Sequence, residues 1–174
     1  MKCIAALLVS VVWLAQAAEP VLHPKLEVFR PLLNSFWQGD LTEPGKTETM
    51  IDKSSWQRVL NGQAIKTIHS INEGVYGGES MIFWDEKQQS LAYYYFTTAG
   101  FYTHGTMQVD EVTGAIVALE QVENNAQGIT QVRSRSVMQG EKLVVESEYL
   151  KNGDWVKGHS AVYQRTAPTE IIFR

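Results

Sequence analysis

After Asn34 the apolar residues recur at every second position, in segments of seven to twelve residues, and this rhythm runs to Arg165. A twofold period puts alternate side chains on opposite faces of an extended strand. Turn chemistry separates the segments at Glu43-Pro44-Gly45, Asn61-Gly62, Gly74–Gly78, Asp85–Gln89, Thr98-Ala99-Gly100, Asp110–Gly114, Asn124–Gly128, Gln139-Gly140 and Asn152-Gly153. Nine turns separate about ten strands. Loops this short allow only neighbour-to-neighbour antiparallel pairing, and ten twisted strands in one open sheet would leave two unpaired edges. The pattern therefore predicts an all-β chain, an up-and-down antiparallel barrel of about ten strands. Ahead of it, Leu26, Phe29, Leu32 and Leu33 fall at helical spacing between His23 and Asn34, with Pro24 in the first turn and Pro31 as an interruption, which predicts a short N-terminal helix.

The first residues carry a different signal. Lys2 precedes the apolar run Ile4–Leu14, and Ala15-Gln16-Ala17 has the small-x-small pattern of a signal-peptidase site. As a helix the run is about 16 Å long, short of a ~30 Å hydrocarbon core, so it predicts a cleaved secretory signal over residues 1–17 rather than a stable membrane anchor. Cleavage after Ala17 or Ala18 would also discard Cys3, the single cysteine. A cysteine-free mature chain with a signal points to a periplasmic or secreted protein, with residues 18–174 as one domain. The charge balance, 15 Lys+Arg against 19 Asp+Glu, leaves a formal net charge of -4, with no basic surplus to neutralise a nucleic-acid backbone.

Hairpin register follows from the surest turns. With Asn61-Gly62 in the first loop, Arg58 pairs with Ile65, Trp56 with Thr67, Ser54 with His69 and Asp52 with Ile71. The alternate face, Gln57 with Lys66 and Lys53 with Ser70, is the wetter one. Trp56, Arg58, Ile65, His69 and Ile71 are therefore expected inside, so that a guanidinium and an imidazole look into the lumen. A buried Arg58 needs acceptors, either Asp52 or Glu73 or a ligand carboxylate. The same exercise at Asn152-Gly153 pairs Lys157 with Glu148, His159 with Glu146 and Ala161 with Val144. It places Val156, Ser160 and Val162 inside and His159 outside. Arg133 and Arg135 then share the outer wall with Glu146 and Glu148. The run Tyr93–Tyr95 is aromatic on both parities, and His104 falls opposite Tyr95 or Tyr94 according to the length of the Thr98–Gly100 loop.

These features resemble the lipocalin-like (calycin) barrels, and within them the bacterial lipocalin-like and ten-stranded nitrobindin-like barrels. The residues that carry the resemblance are Phe36-Trp37-Gln38-Gly39 after the short helix, Arg58–Gly62 at the first hairpin, and Tyr163-Gln164-Arg165 on the last strand. The resemblance implies that Arg165 packs on Trp37 and closes the barrel bottom, a structural role for both, although Ser35 stands where a calycin has the glycine of Gly-x-Trp. It also implies that a nitrobindin-like member would hold haem through a histidine near His159, the residue that the register argument turns outward.

The sequence contains no Gly-x-Ser-x-Gly, Ser-x-x-Lys, HExxH or EF-hand pattern, and Gly74–Gly78 lacks the lysine and helix of a phosphate loop. No catalytic or metal-ligating set is expected, and no resident cofactor beyond the haem alternative. The leading functional expectation is an exported barrel that binds a small, mostly apolar or amphiphilic molecule, with Trp56, Arg58, His69, Tyr93, Tyr95 and His104 as its ligand-binding residues. The alternatives are an envelope interaction module whose lumen is filled by its own side chains, and a haem or nitric-oxide binder.

Overall fold

The computed structural model describes residues 21–43, 45–123, 125 and 127–174. The secretory signal expected over residues 1–17 lies outside them, as do Pro44 of the first turn and Asn124 and Ala126 of the seventh. The chain is all β, with ten strands: β1 (Ser35–Asp40), β2 (Ile51–Val59), β3 (Ala64–Ile71), β4 (Tyr76–Asp85), β5 (Ser90–Thr97), β6 (Tyr102–Val109), β7 (Ile116–Gln121), β8 (Ile129–Gln139), β9 (Lys142–Lys151) and β10 (Asp154–Thr166). Each pairs antiparallel with its sequence neighbours, and β1 pairs with β10, so the sheet closes on itself. Closure gives every strand two partners and removes the unpaired edges that an open sheet would carry.

The N-terminal helix is a 3-10 helix, Pro24–Leu32. Its three buried residues, Leu26, Phe29 and Leu32, are three apart, and only a helix of 3.0 residues per turn stacks such positions on one face. They plug the end of the barrel at which β1 begins. There the Arg165 guanidinium lies 4.7 Å from the centroid of the fully buried Trp37 ring and donates to the Pro31 carbonyl, linking the last strand to the first strand and to the helix. Ser35 has its own task. Its hydroxyl donates to the Leu32 carbonyl (2.7 Å) and accepts from Trp37 Nε1 (2.8 Å), contacts for which a glycine has no atoms.

The β2–β3 register is the one expected, from Asp52 opposite Ile71 to Arg58 opposite Ile65. The β9–β10 register starts as expected, with Lys157 opposite Glu148, and then slips. A bulge between Lys157 and Ser160 sets Ser160 opposite Glu146 and Ala161 opposite Val145. One extra residue exchanges the faces beyond it. Ala161 and Tyr163 therefore turn inward, while Ser160 and Val162 turn out, the reverse of the sequence expectation. Gly77 and Gly78, expected in a turn, belong to β4, and the β3–β4 connection is confined to residues 72–75.

Candidate functional site

Five interior strands contribute to one hydrogen-bonded layer across the barrel. The Asp52 carboxylate on β2 accepts from His69 Nδ1 on β3 (2.8 Å) and from the Tyr163 hydroxyl on β10 (2.8 Å). On the far side of the imidazole, His69 Nε2 lies 2.7 Å from the Tyr95 hydroxyl on β5, which in turn lies 3.2 Å from the Tyr76 hydroxyl on β4. With Asp52 as acceptor, Nδ1 is a donor, which leaves Nε2 to face the Tyr95 hydroxyl. Burial, reinforced by the neighbouring Tyr76 hydroxyl and then by Glu120 and Asp52, pushes the Tyr95 hydroxyl far above the usual phenol range, and burial beside Asp52 does the same to Tyr163. Both remain proton donors throughout physiological pH. A second interior contact runs from the buried Tyr93, whose hydroxyl donates to Glu120 Oε2 on β7 (3.2 Å). Desolvation holds the Glu120 carboxyl above the ordinary carboxylate range.

Glycines make room for the tyrosines. A Cβ on Gly39 would meet three ring atoms of Tyr163 within 2.8 to 2.9 Å, and one on Gly105 would meet Tyr93 at 2.9 Å. Gly78 and Gly158 stand in the same relation to Tyr95 and Tyr149. The Tyr163 ring thus lies over the Gly39 backbone, while at Gly78 and Gly105 a Cβ would also run into the Phe96 and Leu119 carbonyl oxygens.

The layer separates two cavities. Below it, an inner chamber of about 250 Å³ is bounded by Phe29 and Leu32 of the helix and by Trp56, Met107, Leu143 and Val145. Above it, at the end opposite the helix, a mouth cavity of about 720 Å³ is lined by Met50, Ile71, Val75, Ile129, Tyr76, Tyr149 and His159, with Glu43, Lys46 and Glu48 at its rim. His69 borders the lower space and Tyr76 the upper one, so the layer connects the two through hydrogen bonds.

The residues singled out from the sequence fall in different places. Trp56 and His69 line the inner chamber. Tyr93 and Tyr95 point inward, and both hydroxyls are already engaged by Glu120 and by His69 with Tyr76. Arg58 does not look into the lumen. It sits at the bottom end of β2, where its long side chain leaves the barrel to donate to the Val21 carbonyl and to reach Asn61 Oδ1 (3.5 Å); Asp52 is bonded to His69 instead, and Glu73 lies near Lys53 and Arg174. His104 is on the outer wall opposite Tyr94, in an exposed aromatic group with Phe96 and Tyr102, so it cannot meet His69. His159 is corrected in the other direction. The β10 bulge brings its ring to the mouth cavity, edge-on to Tyr149 at 5.9 Å between centroids. Arg133 and Glu148 pair across the outer wall at 2.6 Å as expected.

Sequence reasoning missed Tyr76, Tyr149, Tyr163 and Glu120 as site residues. A signal for Glu120 was present, since it continues the parity of the buried Ile116 and Ala118. For Tyr163 and Tyr149 it was the in-strand glycine beside each ring, Gly39 and Gly158; Tyr76 carried no such mark.

A closed, ten-stranded antiparallel barrel with internal cavities defines a class of protein compatible with ligand binding. Among solved structures, the chain is similar to the crystal structure of Rv2717c from M. tuberculosis, at 15% identity and a TM-score of 0.57, covering 84% of this chain and all of that one. That likeness concerns the fold. No family model and no curated protein matches the sequence.

Proposed function

We propose that the protein is an exported binding protein whose mouth cavity holds a small, mostly apolar molecule with one polar end. The observation that carries this reading is the size and chemistry of the mouth. Its volume of about 720 Å³ falls in the ~300–1,000 Å³ range of small-molecule pockets, with an apolar wall of Met50, Ile71, Val75 and Ile129 beside the rings of Tyr76, Tyr149 and His159, and a polar border of Glu43, Lys46, Glu48, Asn72, Asn125 and Gln127. The inner chamber, at about 250 Å³, is below that range. The sequence expectation of a ligand held by Arg58 and His69 in the lumen is therefore moved upward, to the open end. A side-chain-filled interaction module is the weaker reading, because two cavities remain inside the wall.

Fluorescent fatty-acid and aromatic probes, with native mass spectrometry of the purified protein, test the reading. Ile71→Glu, which sets a carboxylate into the apolar wall, is expected to weaken probe binding at least about tenfold. Arg58→Ala, at the other end of the barrel, should leave it unchanged. Absence of any bound probe, or equal binding by the Ile71 variant, overturns the proposal. Export is tested by the mass of protein recovered from the cell envelope, which should lack residues 1–17 or 1–18.

One observation favours a second reading, haem in the same mouth. The bulge presents the His159 imidazole to a cavity with apolar walls, a fitting environment for an iron-bound macrocycle. His159 would hold the iron, Tyr149 would fix the orientation of its imidazole, and Ile71 and Ile129 would supply apolar contacts to the macrocycle. Bound haem would supply coordination of a diatomic gas. A Soret band in haem-reconstituted protein, lost in His159→Ala, supports this reading, and no band after reconstitution rejects it.

A further inference from the structure

The inner chamber has a chemistry of its own, distinct from that of the mouth. We propose that it is a second binding site, for a small uncharged molecule carrying a hydroxyl group on an apolar body about the size of a benzene ring. This inference does not rest on the mouth reading, since the Tyr163–Asp52–His69–Tyr95–Tyr76 layer lies between the two spaces.

Volume sets the size. An apolar cavity of roughly 150 Å³ accommodates benzene, so about 250 Å³ accommodates one ring with a polar substituent. The lining sets the shape of that molecule. Trp56, Met107, Ile116, Leu143 and Val145 form an apolar wall over the floor made by Phe29 and Leu32. Interleaved with them on the same and neighbouring strands are Ser54, Thr67, Ser134 and Ser136, which also line the chamber and make no side-chain hydrogen bond to the described residues. These hydroxyls are available to pair with an occupant, so one with its own donor and acceptor is favoured over a pure hydrocarbon.

Charge narrows the class further. Among the described residues no lysine or arginine lines the chamber, and the one carboxyl group that does is that of Asp52. An anion would meet the Asp52 charge in a low-dielectric space with no compensating cation. An ammonium would find a carboxylate whose two oxygens already accept from His69 and Tyr163, too little to offset its desolvation. A neutral hydroxyl incurs neither cost, and it can both donate and accept among the serines.

The test is calorimetric titration of the full chain with phenol, benzene, benzoate and benzylammonium. Phenol should bind, benzene at least about tenfold more weakly, and the two ions not measurably. Ala118→Phe, which fills the chamber from β7, should abolish phenol binding while a fluorescent fatty-acid probe in the mouth is unaffected. Should that variant not fold, Ser136→Val decides: it removes one cavity hydroxyl and should weaken phenol at least about threefold while leaving benzene unchanged or tighter. Diffraction from crystals soaked in 4-bromophenol should place the bromine between Trp56 and Leu143. No phenol binding, benzoate binding as tight as phenol, phenol binding retained by a folded Ala118→Phe protein, equal loss of phenol and benzene in Ser136→Val, or bromine found only outside the chamber would each overturn the proposal. Loss of the mouth probe alone would leave it standing.

Discussion

At the residue scale, the interior of this barrel is defined by polar side chains that satisfy one another. Asp52 illustrates the rule that a buried carboxylate must be paired, since it is 3% exposed and accepts from two donors on different strands. Glu120 is paired with the Tyr93 hydroxyl and lies beside that of Thr103, yet burial outweighs both and raises its pKa. A carboxyl whose folded pKa lies above its unfolded value of 4.5 contributes stability below that pH and loses it as the pH rises through the folded value. Glu120→Gln keeps an acceptor for Tyr93 and carries no charge. Urea denaturation between pH 4 and 8 should show the variant more stable than the parent at pH 7, with the difference vanishing near pH 4. An unchanged pH dependence would mean that Glu120 is solvated. The sequence placed His69 inside because parity alone decides that, but it could not supply the partners, since Asp52 and Tyr95 lie 17 and 26 residues away along the chain.

At the scale of the element, strand glycines and strand tyrosines work as pairs. Gly39 and Tyr163 are separated by nearly the whole chain, yet the β1–β10 ladder brings them together, and the ring uses the space of the missing Cβ to reach Asp52. Gly39→Ala is expected to cost about 1–3 kcal/mol through overpacking, despite alanine's better fit to a strand. In a Tyr163→Ala background the same change should cost almost nothing, a coupling readable by double-mutant denaturation. Additive costs would show that the backbone at Gly39, rather than the ring, is responsible. The β10 bulge is the other device at this scale. The twofold alternation and the Asn152-Gly153 turn both predict an unbroken hairpin, and one surplus residue near Gly158 redirects His159, Ser160, Ala161, Val162 and Tyr163. Gly158 carried a hint of it, since a Cβ there would fall 2.9 Å from the Tyr149 ring.

At the scale of the molecule, closure depends on one seam. The β1–β10 ladder is short, with three paired positions from Phe36–Thr166 to Gln38–Gln164, and Arg165 reinforces it by stacking on Trp37 and bonding the helix carbonyl at Pro31. Arg165→Ala should lower stability by about 1–2 kcal/mol through the lost cation–π and hydrogen-bond contacts. It should also speed hydrogen exchange at the β1 and β10 amides ahead of those of the β8–β9 hairpin. Uniform protection across the barrel would remove the seam's special status.

The sequence by itself determined the fold class, a count of about ten strands, the short N-terminal helix and the β2–β3 register, because hydrophobic period, turn residues and loop length act over a few residues and leave their mark in order along the chain. Only the tertiary structure decided that Arg58 leaves the lumen, that His104 faces outward and His159 the mouth, and that a tyrosine–histidine layer divides the interior in two. Those outcomes depend on where long side chains end, on a single bulge and on partners up to 111 residues apart, and a local pattern holds no record of distance through space.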